Sequence, residues 1–179
     1  MLSIGGSAGS YTLASSDDPR RSSSWPLGDA VPDGIDFNIE GGTSQHWDEH
    51  AKYLSVYSRC SNKKLHEPAL GSDAWIRNAL KTVLFGLGLV QFYNNPPCDD
   101  VANLEEAWKQ LTSTILASKI FLSLRAAPQA AGSGFIPAAE FTLKILPNLE
   151  SPKKYGSIIL WSMYHDDFSG CSASISGDV

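Results

Sequence analysis

Asp33-Gly34-Ile35-Asp36-Phe37-Asn38-Ile39-Glu40 alternates polar and apolar side chains along its length. Successive side chains of an extended strand point to opposite faces, so Asp36, Asn38 and Glu40 share one face and Ile35, Phe37 and Ile39 the other. The apolar row can pack against helices. The acidic row needs a separate reason, because carboxylates are costly to bury unless they are paired or used. Two readings fit the pattern. One is a half-buried strand with a solvated face; the other is a strand that stacks acids toward its C-terminal end, where barrel enzymes aim protons at a bond.

Upstream, residues 1–6 read as a strand ending at Gly5-Gly6, where glycine lets the backbone approach a ligand closely. A phosphate cradle is the rival reading, but the Lys-Ser/Thr pair and the helix pattern that should follow are missing. Residues 12–32 include Ser15-Ser16-Asp17-Asp18-Pro19-Arg20-Arg21-Ser22-Ser23-Ser24 and a second proline, Pro26, with no helical apolar period. That is loop chemistry, in a place where a crossover between parallel strands usually carries a helix.

Downstream, Gly41-Gly42 makes a turn, and Thr43 or Ser44 caps a helix running to about Tyr57. His46 and His50 stand one helical turn apart. A metalloprotease pattern needs Glu directly after the first His, where this chain has Trp47, so a solvated helix start is the preferred reading. Arg59 to Ser72 shows no β-rich run, and a helix follows over about 73–82.

The second half is more regular. Strands are expected at Leu87–Asn94, Ile120–Ala126 and Ser157–Met163. Asn103 with Glu106 makes a capping-box-like start to a helix with Leu104, Trp108, Leu111 and Ile115 on one face. Another helix, about 138–149, is centred on Phe141 and Ile145 and is distorted or ended by Pro147. Strands alternating with helices argue for α/β architecture with a parallel sheet of barrel type. A closed (β/α)8 TIM barrel needs eight strands and typically about 250 residues, and this chain shows five. The expected fold class is an incomplete (β/α)8 TIM barrel.

Composition narrows the function. At 179 residues, 42% hydrophobic and a net charge of -5, the chain suits one soluble domain spanning 1–179. Its 14 basic residues are scattered against 19 acids, which argues against a nucleic-acid partner. The longest apolar run, Val83 to Val90, is broken by glycines and too short to cross a membrane. Met1 leads straight into Leu2-Ser3-Ile4 with no secretory signal pattern. Cys60, Cys98 and Cys171 make an odd count, leaving a free thiol or an intermolecular bond, and no close C-x-x-C pair suggests zinc. Cys60 can pair with Cys98 only if their Cα atoms lie within about 7 Å. No metal or cofactor is expected.

The wording of the sequence adds a resemblance. Leu27-Gly28-Asp29-Ala30-Val31 followed by DGIDFNIE resembles the plant class III chitinases of glycoside hydrolase family 18, whose strand signature is DxxDxDxE. Leu2-Ser3-Ile4-Gly5-Gly6 with Gly9-Ser10-Tyr11, Val90 to Cys98, Ala126-Ala127-Pro128, Ala131-Gly132-Ser133-Gly134, Leu160-Trp161-Ser162 and Asp166-Asp167 follow in the same order. The resemblance implies a secreted protein, hence an extracellular location. It also implies that the chain begins at the family's third strand and lacks the fifth, so that its beginning looks missing. In the family the cysteine matching Cys98 pairs with one at the end of the preceding strand, which finds no counterpart here.

The same resemblance implies substrate-assisted hydrolysis of β-1,4-linked N-acetylglucosamine in chitin or chitooligosaccharide. Glu40 would be the general acid and Asp36 its electrostatic support. Tyr93 would donate to the acetamido group, Gln91 and the Gly6 loop would line the site, and Trp161 would stack beneath the sugar. Asn38 departs from the signature, which has Asp. An amide can still accept a hydrogen bond but supplies no charge to balance a cationic intermediate. Losing one such element typically costs about 100-fold or more in rate, so activity is expected to be weak. Taken singly, Trp161 could be core, Tyr93 and Gln91 strand faces, and Asp36 a turn cap. Two further classes stay open: a non-catalytic chitin-binding lectin or inhibitor of another glycosidase, and a fragment that does not fold stably.

Overall fold

The computed structural model describes residues 2–6, 13, 34–61, 64–67, 77–82, 84–95 and 99–179, with residues 2, 57–61, 64–67 and 77 described as backbone. The strands are β1 (Leu2–Gly5), β2 (Gly34–Asn38), β3 (Lys64–Glu67), β4 (Phe85–Gln91), β5 (Lys119–Arg125) and β6 (Tyr155–Trp161). The helices are α1 (Trp47–Ser61), α2 (Arg77–Leu80), α3 (Val101–Thr114), α4 (Ala138–Glu140), α5 (Leu146–Leu149), α6 (Met163–Ser169) and α7 (Cys171–Ile175), with a π-helical segment at Phe141–Ile145. These form two compact units, Met1–Gly88 with Leu116–Ser118, and Leu89–Ile115 with Lys119–Val179. The fold class is α/β, and strand order follows chain order, with β4 contributing to both units.

In the first unit β1, β2, β3 and the start of β4 run parallel, with Ile4 beside Phe37 and Ile35 beside Leu65. Phe37 has no exposed surface. Its ring meets Trp47, His50 and Phe85 edge-on, with centroids 6.0, 5.4 and 5.4 Å away. α1 begins where Trp47 turns inward and its indole N–H donates to the Thr43 carbonyl at 2.7 Å. Asp48 and Glu49 in its first turn suit the positive end of the helix dipole. Gly5 closes β1 at φ +115°, and a Cβ there would lie 1.8 Å from the Asn38 carbonyl oxygen.

Three expectations are corrected here. Among the described residues there are six strands, not five, because Lys64–Glu67 pairs with both β2 and β4. This K-L-H-E segment is too short and polar to signal a strand; its neighbours impose the conformation. α1 starts at Trp47 and runs to Ser61, later at both ends than expected. His50 is not solvated: it is 6% exposed, packs edge-on to Phe37 and Trp47, and its Nδ1 has no hydrogen-bond partner among the described residues. His46 does stand at the surface end, 2.6 Å from Glu49.

In the second unit β5 and β6 are parallel, with Leu122 beside Ile158 and Arg125 beside Trp161. The chain leaving β4 continues against β5, where Phe92 N–H donates to the Ser123 carbonyl. Leu104, Trp108 and Ile115 are buried, as the apolar stripe requires, and the Trp108 indole N–H donates to the Leu149 carbonyl at 3.0 Å. The cap of α3 is Asp100, which accepts from Ala102 N–H, rather than Asn103. Phe141 and Ile145 are buried as expected. Pro147 cannot donate a backbone hydrogen bond, and the turn before it widens into the π-helical segment that absorbs the missing rung. Each remaining second-half strand starts one or two residues, and ends one to three residues, earlier than expected. α6 and α7 were not anticipated; Gly170, at φ +65°, ends the first of them in the left-handed region.

Burial holds the His50 imidazole down at about 4, against 6.5 for the free side chain. The unfolded chain therefore takes up this proton near pH 6.5 and the folded chain only near pH 4. The neutral, buried form stabilises the fold fully above pH 6.5, and that contribution is lost as pH falls toward 4. Denaturant midpoints across this window should show a loss of up to about 3 kcal/mol, a slope that His50→Phe should flatten.

Candidate functional site

The predicted site residues divide between the units. In the first unit, β2 brings Asp36, Asn38 and Gly6 together. Asp36 is 7% exposed, which reflects its place between β1 and β3 rather than at a turn. Burial raises its pKa, opposed by a hydrogen bond with the Ser3 side chain, its register partner. The Oδ1 atoms of Asp36 and Asn38 are buried and have no partner among the described residues. Two residues apart on one strand, they lie on the same face and can receive N–H or O–H donors together. The Asn38 carbonyl accepts from Gly6 N–H at 2.6 Å, so the glycine pair is held by β2's last residue. Gly6 has φ +99° and open space where a Cβ would stand. Glu40 lies two residues past the strand end and is exposed.

In the second unit, the end of β4 brings Gln91 and Tyr93 together. Gln91 Nε2 donates to the Tyr93 carbonyl at 3.1 Å. Tyr93 is 7% exposed, and the backbone around it is clamped from the 132–134 loop. Asn94, itself at φ +52°, accepts through Oδ1 from Gly132 N–H at 2.7 Å and Ser133 N–H at 3.2 Å. Asp99 accepts from the Ser133 hydroxyl and from Asn95 N–H. Gly134 completes the clamp: a Cβ there would lie 2.9 Å from the Tyr93 Cα. Trp161 ends β6 with 53% of its surface exposed, which rules out the core reading. Its carbonyl accepts from Ala126 N–H at 2.8 Å, and its peptide bond to Ser162 is cis.

Sequence reasoning missed Asn94, Asp99, Ser133 and Arg125. The paired asparagines Asn94-Asn95 were a turn signal, and Arg125 a charge placed at the end of an apolar strand. Among the described residues no group of three His, Cys, Asp or Glu side chains could hold a metal ion. The Cys60–Cys98 question lies outside the described side chains; Cys171 is a free thiol. Among the described residues no helix is long and apolar enough to cross a membrane.

No family model matches the chain. It is 46% identical over 200 residues to an acidic endochitinase of Nicotiana tabacum, covering 100% of this chain and 67% of that protein. The chain thus spans about two thirds of the length of such relatives. Among solved structures it is similar to ICChI chitinase from Ipomoea carnea, at 39% identity and a TM-score of 0.87, covering 99% of this chain and 72% of the other. It is similar also to the xylanase and alpha-amylase inhibitor protein XAIP-II from Scadoxus multiflorus, at 33% identity and a TM-score of 0.87, covering 99% and 74%.

Removing the clamp tests what holds Tyr93. Asn94→Ala leaves the solvent-exposed Gly132 and Ser133 amides to water in place of their acceptor and should cost about 0.5–1.5 kcal/mol in stability. Hydrogen exchange at those two amides should accelerate, while the α3 amides keep their protection.

Proposed function

The chain belongs to the plant class III chitinases of glycoside hydrolase family 18, and from that membership we propose that it is an extracellular, chitinase-like protein with impaired hydrolysis. The reading rests above all on the Asp36-x-Asn38-x-Glu40 row, set within 46% identity to an acidic endochitinase over the whole chain. Its substrate is chitin or a chitooligosaccharide. The scaffold is of the TIM-barrel type. The matched span of 200 residues exceeds the chain's own 179, which supports internal shortening. In this reading the six strands answer to the third through eighth of the parent barrel, and the four-residue β3 is the remnant of a fifth strand that the sequence had suggested was absent.

Glu40, exposed beyond the end of β2, protonates the glycosidic oxygen, and the sugar's own acetamido oxygen attacks the anomeric carbon. Asp36 lies deeper, and burial favours its protonated form, so it gives up a proton less readily than an ordinary aspartate. Tyr93 donates to the acetamido group from a backbone clamped on the far side by Gly134. Gly6, in the first unit, and Gln91, in the second, take sugar-contacting roles in this reading, and the exposed Trp161 ring stacks against the sugar. Asn38 receives the acetamido N–H but brings no negative charge to the positively charged intermediate.

The likeness to XAIP-II, together with the lost Asp at position 38, favours one alternative: a non-catalytic member that binds chitin as a lectin or inhibits another glycosidase. Release of reducing ends from chitooligosaccharides separates the two. Asn38→Asp should raise turnover by about tenfold or more, and Glu40→Gln should abolish it. Sugar binding by calorimetry without product, in both the native chain and Asn38→Asp, would support the lectin. Inhibition of a xylanase or amylase without sugar binding would support the inhibitor.

A further inference from the structure

Arg125 is the last residue of β5, whose Ile120, Leu122 and Leu124 are buried. The arginine is buried too, with 5% of its surface exposed. Among the described residues it forms no ion pair, and its Nε has no hydrogen-bond partner. A guanidinium cannot shed its charge at any physiological pH, so burial here carries a cost that a lysine or histidine would escape by deprotonating. Buried charges are normally paired for this reason. The described compensation is the Phe135 ring, 5.8 Å from the guanidinium carbon, which offsets part of the cost and uses none of the five N–H donors.

The register gives the arginine a neighbour. Arg125 pairs with Trp161 across β5 and β6, and residues opposite each other on parallel strands project to the same face. Trp161 is half-exposed there, a flat apolar ring beside a forked cation. With only 5% of Arg125 exposed, a substituent on a small ligand reaches it more readily than a broad protein surface does. The fork of a guanidinium matches the oxygens of a carboxylate or sulfate. Neutral chitin would leave it unpaired.

We propose that Arg125 and Trp161 form a subsite for a saccharide bearing an oxyanion, a carboxylate or a sulfate, with the ring stacking on the sugar and the guanidinium clamping the anion. This rests on the saccharide-binding reading above and specifies the class of sugar.

Calorimetry on the full chain compares three oligosaccharides of equal length: a neutral N-acetylglucosamine oligomer, its O-sulfated derivative and a uronate-containing oligomer. At least one acidic ligand should bind about tenfold tighter than the neutral one, the scale of a single charge-assisted contact, and added salt should erode the difference. Whichever arm binds tighter identifies the anion. R125Q should abolish the preference and R125K, which keeps charge but loses the fork, should reduce it; if R125Q loses its cooperative melt, R125K carries the comparison. Equal affinity for all three ligands, or a preference that survives substitution, overturns the proposal. If no saccharide binds, inorganic sulfate decides at matched ionic strength. A rise in melting temperature that depends on Arg125 keeps the anion site and defeats the saccharide reading, and no such rise defeats both.

Discussion

The burial of Phe37 is the constraint on which the first unit depends. Its ring is enclosed by Trp47 and His50 from α1 and by Phe85 from β4 of the same sheet. A strand has a side-chain period of two, so fixing one residue inward fixes its neighbours outward. Asp36 and Asn38 are carried to the opposite face by that packing. Their chemistry is thus positioned by a hydrocarbon contact on the other side of the backbone, and sliding β2 by one residue would bury a carboxylate in the aromatic cluster.

Polar atoms in this protein fall into two groups. Some are satisfied by design of the backbone: Asn94 receives two amides, Asp99 a hydroxyl and an amide, and Asp100 the first turn of α3. Others, among them Asp36 Oδ1, Asn38 Oδ1, His50 Nδ1 and Arg125 Nε, are buried without a partner among the described residues. The first group immobilises loops. The second retains unspent hydrogen-bonding capacity at a cost to stability, and two of its members, Asn38 and Arg125, are the last residues of their strands. His50 lies in the helix-facing core, and its consequence is sensitivity to acid rather than recognition.

The sequence made some of this plain and hid the rest for identifiable reasons. β2 was legible because its apolar and polar rows alternate without interruption, and Phe141, Ile145 and Trp108 because helical spacing marks them. β3 was not: Lys64-Leu65-His66-Glu67 has no strand composition, and two partners hold it in place. Asn103 with Glu106 fits the local capping-box pattern, while the helix begins earlier and is capped by Asp100. The burial of His50 depended on where Phe37 would point, and the isolation of Arg125 on which residues would fail to meet it. Neither is a local property, so neither could be read from spacing. Trp161 as a half-exposed ring and Tyr93 as a buried one likewise required coordinates.

Gly5 carries a consequence for how tolerance to change would be read. Any other residue there would drive its first side-chain carbon into the Asn38 carbonyl, from a backbone conformation that L-amino acids avoid. A mutational scan would therefore rank this position alongside the acidic row in severity, although it offers no side chain to any ligand. Intolerance at position 5 would report crowding between two chain segments. Residues that do chemistry and residues that merely make room for it would be indistinguishable by survival alone.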